Sequence, residues 1–309
     1  MKKLISTKMK IFMVFLLLTS ITCFTSSLVV LYRSDFKLSD YSNSNTNWIF
    51  GWRHSYYNNF NTILLDEPLT NIKNLNIDFT GYNVTLEVHS GNNLIINSSD
   101  PSSSTESSLN INNTDDTLTI SASNISRNLL VKIPSSYSNN LDFKFTEGSA
   151  IISNMTLESL KIQGINSDVN INNITLTSIN ISITDGDINL NNINSKDLSV
   201  DTLNGEIFST NLKGNINLST SNGDIFASLT NEITNSKINT TNGDVELNLP
   251  IDNNFLIDFN TVTGELEDYL IESKFNKYDI KKHNSNSKIT IGAGVIPISV
   301  TTIDGDLSF

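Results

Sequence analysis

An acidic residue follows a glycine at regular intervals along the C-terminal half of this chain. Such a row of carboxylates is a candidate site for a hard cation such as calcium, which prefers oxygen ligands. At the spacing of neighbouring strands, about 4.8 Å, two ionised carboxylates in water repel by roughly 0.9 kcal/mol, and a cation would relieve that repulsion. The alternative role is structural, because Asp favours turns and accepts hydrogen bonds from backbone N–H groups there. The acidic positions are Asp187, Glu206, Asp224, Asp244, Glu265 and Asp306, with Asp168 in a related copy.

No recognisable catalytic motif accompanies these carboxylates. The sequence has no Gly-x-Ser-x-Gly, His-Glu-x-x-His or phosphate-binding glycine loop, and its three histidines lie far apart, at His54, His89 and His283. Polysaccharide lyases built on a parallel β-helix combine an acidic cluster and calcium with a basic proton acceptor. The lysines between the acidic positions are isolated: Lys196, Lys213 and Lys237. The sequence therefore assigns no catalytic, cofactor-binding or metal-binding residue, and we expect a protein that is not an enzyme.

The acidic position belongs to a repeated six-residue phrase of Thr, a spacer, Asn or Asp, Gly, an acidic residue and an aliphatic residue. The steps between successive glycines are all close to twenty, except the last step, which is about twice as long. A fixed period of this length is typical of stacked repeat architectures. The glycines are Gly186, Gly205, Gly223, Gly243, Gly264 and Gly305, and Ser167 and Gly148 extend the series backwards at the same spacing.

The sequence around each glycine alternates with a period of two, which predicts β-strands. In residues 198–202 the apolar side chains and Thr202 share one face, and Asn-Gly then provides a turn. Ordinary β-hairpins are the alternative interpretation, but they do not explain why Thr recurs at one offset. Stacked coils do, because each rung favours the same side chain at the same position. We expect the aliphatic residue after each turn to point inward, at Ile188, Ile207, Ile225, Val245, Leu266 and Leu307.

These patterns predict an all-β, single-domain β-solenoid (β-helix) with coils of roughly 20 residues. Counting the long gap between Gly264 and Gly305 as two coils gives eight steps from Gly148 to Gly305. At about 4.8 Å for each step, this stretch would form a rod about 38 Å long.

The N-terminus predicts a membrane attachment. Residues 1–10 carry four lysines and form a basic tail that we expect in the cytoplasm, and residues 11–31 are apolar enough for a transmembrane helix or signal anchor. A cleaved signal peptide is the alternative, because hydroxyl residues dilute the middle of the run. Residues 32–65 form an aromatic-rich linker before a domain at 66–309. The one cysteine, Cys23, lies in the apolar run and excludes internal disulfides.

The remainder of the chain is strongly acidic. The formal net charge is −12, and residues beyond 31 carry sixteen basic and 32 acidic side chains. A surface with this balance repels polyanions, so we expect no binding to nucleic acid and no attraction to anionic lipid.

Several short motifs in a fixed order resemble a known bacterial family. They are IKNLNI at 72–77, NVTLEV at 83–88, LVKIP at 130–134, LNLP at 247–250, IGAG at 291–294 and VTTIDGD at 300–306. Together with the Gly-Asp rungs, their order is similar to the bacterial "putative adhesin" family of domains of unknown function, over about residues 66–309. The resemblance implies a β-solenoid tethered by one N-terminal membrane helix, and it supplies no catalytic residues.

These observations lead us to expect a single-pass cell-membrane protein whose C-terminal domain lies outside the cell. Its expected role is non-catalytic: a cell-envelope surface protein that presents a repetitive surface for adhesion or for binding an envelope polymer or a membrane protein. One alternative is an accessory protein in envelope-stress sensing that acts through neighbouring membrane proteins. The second alternative is a polysaccharide-active β-helix enzyme.

Overall fold

The computed structural model describes residues 60, 62–99, 109–251, 254–267, 269, 271–283 and 285–309. They belong to one structural unit, Tyr57–Phe309. The basic tail at 1–10, the apolar run at 11–31 and most of the linker at 32–65 lie outside the described residues, so these three assignments stay predictions.

The described residues form sixteen strands and one short helix. The first eight strands are β1 (Thr62–Pro68), β2 (Asn74–His89), β3 (Asn93–Ser98), β4 (Asn110–Thr114), β5 (Thr117–Pro134), β6 (Asn140–Ser153), β7 (Thr156–Asp185) and β8 (Ile188–Asn204). The others are β9 (Ile207–Asn222), β10 (Ile225–Asn242), β11 (Val245–Asn248), β12 (Phe255–Asn260), β13 (Tyr278–His283), β14 (Asn286–Ile291), β15 (Ile296–Thr301) and β16 (Leu307–Ser308). Helix α1 spans Ile271–Lys274.

All sixteen strands join one sheet whose centre is parallel. The order β5-β2-β6-β7-β8-β9-β10-β15-β12 runs through parallel pairs, while β1, β3 and β4 at one end and β13 and β14 at the other pair antiparallel. Long parallel strands that bend and continue into the next turn of chain are the mark of a solenoid. The all-β prediction is therefore confirmed for the described residues.

Successive coils pair in register on both sides of the glycine turn, and the register shifts only at bulges such as those between Asn194 and Asp197 and between Ala227 and Asn235. Ile188 pairs with Ile207, Ile207 with Ile225 and Ile225 with Val245, so equivalent residues of neighbouring coils stack on one another. The six aliphatic residues predicted to point inward are all buried. Burying one such side chain contributes roughly 1.5–3 kcal/mol, and the stack repeats that contribution on every rung. The prediction of stacked coils is confirmed.

The predicted order of the last rungs is wrong. Gly243 N donates to Asp304 O, and Leu307 N donates to Glu265 O, so the rung of Gly305 lies between those of Gly243 and Gly264. The long segment between Gly264 and Gly305 does not form an extra coil. It forms α1 and the β13–β14 hairpin, and the chain then returns to the solenoid as β15, which lies between β10 and β12.

This return also shortens the predicted rod. The rungs from Gly148 to Gly305 follow one another as 148, 167, 186, 205, 223, 243 and 305. At about 4.8 Å for each rung, this stretch is about 29 Å long.

Candidate interaction surface

The acidic residues after the turn glycines form a hydrogen-bonded row with one interruption. Asp168 Oδ1 accepts from Asp187 N at 3.0 Å, and Asp187 Oδ1 accepts from Glu206 N at 2.9 Å. The row continues at 2.8 Å from Asp244 N to Asp224 Oδ1, at 2.8 Å from Asp306 N to Asp244 Oδ1 and at 2.7 Å from Glu265 N to Asp306 Oδ1. Each aspartate thus satisfies the backbone of the next coil, which is the structural role that the sequence offered.

The row is interrupted only where aspartate is replaced. Within the described residues, the longer Glu206 makes no such bond to the backbone of Asp224. Nor does this part of the chain hold any group of three or more His, Cys, Asp or Glu side chains that could bind a metal ion. The arrangement favours structural carboxylates over a calcium ladder.

The recurring threonines lie inside the solenoid beneath the turns. Thr220 Oγ1 donates to Gly205 O and Thr240 Oγ1 to Gly223 O, each at 3.0 Å, so a buried hydroxyl satisfies the turn carbonyl of the preceding coil. Thr302 Oγ1 donates to Gly305 O within its own turn at 2.7 Å. These bonds favour Thr over Val in three copies of the phrase, whereas the buried Oγ1 of Thr202 has no hydrogen-bond partner among the described residues.

The turn glycines are required by close approach between coils. A Cβ on Gly223 would lie 2.2 Å from Gly205 O, and one on Gly243 would lie 2.1 Å from Gly223 O. Their φ values of 150° and 153° are also ones that L side chains rarely adopt.

Asparagine side chains form a row on the outside of the same turns. Asn222 Nδ2 donates to Asn204 Oδ1 and Asn242 Nδ2 to Asn222 Oδ1, both at 2.7 Å. Asn204 in turn donates to Asp185 Oδ1. The exposed edge of the solenoid is therefore a fixed line of amides.

A second asparagine row, which the sequence analysis missed, marks another corner of the coil. Asn173 donates to Asn154, Asn192 to Asn173 and Asn211 to Asn192, at 3.1, 2.9 and 2.8 Å between Nδ2 and Oδ1. All four adopt left-handed backbone conformations with φ between 55° and 59°. The available signal was Asn followed by an aliphatic residue or Met once in each of four successive coils.

The outer walls on either side of the glycine turn differ in chemistry. The amide wall presents only polar side chains along one outward row: Asn180, Ser199, Asn217, Lys237 and Ser299. The aromatic wall presents the row Ile151, Asn170, Asn189, Phe208, Phe226 and Glu246. The rings of Phe208 and Phe226 stack at 4.7 Å between centroids and 10° between planes, and 43% of the Ile151 surface is exposed.

The family model of Toastrack DUF4097 matches residues 72–309. The chain belongs to the Toastrack family. The match runs from the loop before β2 to beyond β16. It confirms the resemblance to a family of domains of unknown function that the sequence motifs predicted.

Other comparisons add little to the Toastrack assignment. The chain is similar to a crystal structure described as "a putative cell adhesion protein" from Clostridium sporogenes, with 10% identity, 79% of this chain and 95% of that chain covered, and a TM-score of 0.26. No curated protein matches the chain. Among the described residues, no helix is long and apolar enough to span a bilayer.

Within the described part of the chain, the basic residues that the sequence singled out lie apart from one another. His89 lies in β2, with Nε2 2.7 Å from Asn93 O and Nδ1 accepting from Gly91 N at 3.2 Å, which is a local turn contact. Lys213 forms an ion pair with Glu232 one coil away. His283 is in β13, remote from β2 in strand order, and His54 lies outside the described residues.

Proposed function

We propose that this chain is a non-catalytic surface protein of the cell envelope that uses its solenoid to bind an envelope polymer or a partner protein. The observation that carries this proposal is the aromatic wall. Phe208, Phe226 and Ile151 are only partly buried and lie in register on the outside of the rod, in a row that also contains Asn170 and Asn189. Partly exposed apolar side chains beside amides are typical of surfaces that contact another molecule.

The aromatic wall has both aromatic rings and amides, and this combination suits the binding of a polymer or a partner protein. An aromatic ring contributes apolar contact area at a low cost in side-chain entropy, and an amide both donates and accepts hydrogen bonds. Because one outward position of each coil contributes to this row at a fixed spacing, a partner that is itself repetitive gains several weak contacts at once. The rows are held by the hydrogen-bonded coils beneath them, so little ordering is required on binding.

Attachment to the membrane is the second part of the proposal. The lysines at 1–10 and the apolar run at 11–31 support a single-pass anchor with the Toastrack domain outside the cell. In this arrangement the solenoid domain lies outside the cell, and its net negative charge disfavours contact with anionic lipid.

The test compares two variants of the full-length chain in a pull-down from envelope fractions. The first replaces both rings of the aromatic wall, Phe208→Thr with Phe226→Thr, and the matched control replaces two residues of the amide wall, Asn180→Thr with Asn217→Thr. We expect the native chain and the control to retain a common set of bound components and the aromatic-wall variant to lose it. Equal recovery by all three proteins would contradict a role for this wall.

The pull-down, together with a glycan-degradation assay, also tests the two alternative functions, envelope-stress sensing and polysaccharide cleavage. Recovery of a sensor kinase or transporter together with the chain would identify envelope-stress sensing. Shortening of a purified envelope glycan by the chain would identify a polysaccharide-active enzyme and would overturn the non-catalytic assignment.

A further inference from the structure

Every Asn-Gly pair of the sequence lies in a glycine turn of the solenoid, and this dipeptide has a chemistry of its own. The backbone N of the residue after an asparagine can attack Cγ of the asparagine side chain and expel ammonia. A glycine in the second position hinders that attack least, because it has no Cβ. Asparagine is accordingly among the thermolabile residues of proteins. The pairs are Asn204-Gly205, Asn222-Gly223 and Asn242-Gly243.

In each pair the attacking nitrogen is already bonded to the next coil. Its N–H group donates to a backbone carbonyl of that coil, and all three N···O distances are 3.0 Å. Attack requires this nitrogen to lose its proton and to approach Cγ, so the bond between the coils has to break first. The bonds run from Gly205 N to Asn222 O, from Gly223 N to Asn242 O and from Gly243 N to Asp304 O.

The side-chain amides of the same pairs are held by a second set of bonds. Asn222 Nδ2 donates to Asn204 Oδ1, and Asn222 Oδ1 accepts from Asn242 Nδ2, both at 2.7 Å. Asn204 Nδ2 donates to Asp185 Oδ1. The amide that would lose ammonia and the nitrogen that would attack it are therefore fixed separately, one through side chains and the other through the backbone. Both are released together when a coil separates from its neighbours.

We propose that the three Asn-Gly turns are sites of spontaneous deamidation that are protected while the coils are stacked and react when a coil separates. In a separated coil the glycine N gives its proton to water and attacks Cγ of the preceding asparagine. The Cγ–Nδ2 bond breaks, and Nδ2 takes up a proton and leaves as ammonia. Water then opens the five-membered imide at either carbonyl, which gives aspartate or isoaspartate. An amide and a water molecule thus become a carboxylate and ammonium, and solvent water is the only co-reactant.

The reaction also hinders the coil from stacking again. Each asparagine of the row donates to the preceding coil, and an ionised carboxylate has no hydrogen to donate. Asp304 shows the consequence, because it lies beside Asn242 in the row. Its Oδ1 accepts from Thr263 Oγ1 at 2.9 Å, and no bond joins it to the Asn242 side chain among the described residues. One separation of the coils therefore leaves a permanent change, and this inference is independent of the function proposed above.

Peptide mapping of the full-length Lys277→Gly variant measures the protection. This change creates a reference Asn-Gly pair at 276–277, where both positions are exposed and the N of residue 277 donates no backbone hydrogen bond among the described residues. The variant is incubated near pH 8 in native buffer and in urea, and each deamidation adds about 1 Da. A protected site reacts only through its open fraction, commonly about 0.1–10%, so the native rate at the stacked pairs should be about 10-fold or more below the urea rate. The reference pair should show a much smaller difference. Equal ratios of native to urea rate at the stacked and reference pairs would overturn the proposal.

A second measurement tests the effect of the product on stacking. Asn222→Asp reproduces one product of the reaction and removes the donor to Asn204, so its melting temperature should fall by about 2–4 °C. Asp185→Asn is the matched control, because an amide oxygen still accepts from Asn204 Nδ2 and the melting temperature should stay unchanged. A melting temperature of Asn222→Asp equal to the native value would contradict the permanent change.

Discussion

At the scale of single residues, the turn is built by four residues with separate tasks. The glycine allows two backbones to approach, the threonine bonds a carbonyl from inside, the asparagine bonds its neighbour on the outside, and the aspartate accepts a backbone N–H from the next coil. The sequence predicted the glycine and the inward threonine, because both follow from backbone geometry and alternation. The sequence did not decide whether the aspartates bind calcium or stabilise the turn. The hydrogen bonds of the row favour the structural role in the turn.

This role of the aspartates predicts the effect of removing one carboxylate. Asp224→Ala leaves Asp244 N without its acceptor and should lower the free energy of unfolding by about 1 kcal/mol, whereas Asp224→Asn retains an acceptor oxygen and should cost less. Glu206→Ala is the matched control, because Glu206 accepts no such bond within the described residues. Urea unfolding measures the three values.

The same role predicts the response to calcium. A cation that bound the folded row would raise the melting temperature by mass action. We expect no increase in millimolar calcium, because one oxygen of each stacked aspartate already accepts a backbone hydrogen bond. A clear calcium-dependent increase, reversed by a chelator, would restore the metal-binding hypothesis.

At the scale of the structural elements, the coil is the unit that the sequence revealed best. Coils with a glycine turn were recognised because the period, the alternation and the turn chemistry agree. The Asn154–Asn211 corner was missed because a single left-handed Asn followed by an aliphatic residue resembles many other places in an Asn-rich chain. The position of the Gly305 rung was also missed, since spacing along the chain does not show that the chain returns after the β13–β14 hairpin to place β15 between β10 and β12.

The coil as a unit predicts which deletions the fold tolerates. Removal of residues 205–222 takes out one whole coil and joins Asn204 to Gly223, which restores an Asn-Gly turn in register. We expect this variant to keep its β-sheet circular dichroism and a cooperative melting transition at a lower temperature, because stability in a solenoid is the sum of repeats and their interfaces. Removal of residues 205–213 shifts the register and should abolish the cooperative transition. Equal behaviour of the two deletions would contradict the coil as the unit.

At the scale of the whole molecule, the structure is an acidic solenoid with two different outer walls. The parallel centre is continued by antiparallel strands at both ends, where β1 and β4 lie at one end and the β13–β14 hairpin at the other. Function is expected on the walls, because the interior is occupied by stacked aliphatic side chains and the turns by structural hydrogen bonds. The proposed display of these walls outside the cell depends on the predicted anchor at 11–31, which lies outside the described residues.

The central claim is that neighbouring coils lie in register, with the Gly305 rung directly beside the Gly243 rung. Engineered cysteines in a Cys23→Ser background test this most directly, because a disulfide forms only when two Cα atoms lie within about 7 Å. Asn242 pairs with Asp304, so Asn242→Cys with Asp304→Cys should cross-link on mild oxidation, whereas Asn222→Cys with Asp304→Cys, two coils apart, should not. Cross-linking of Asn242→Cys with Thr263→Cys, in place of the first pair, would contradict the stacking order on which both walls depend.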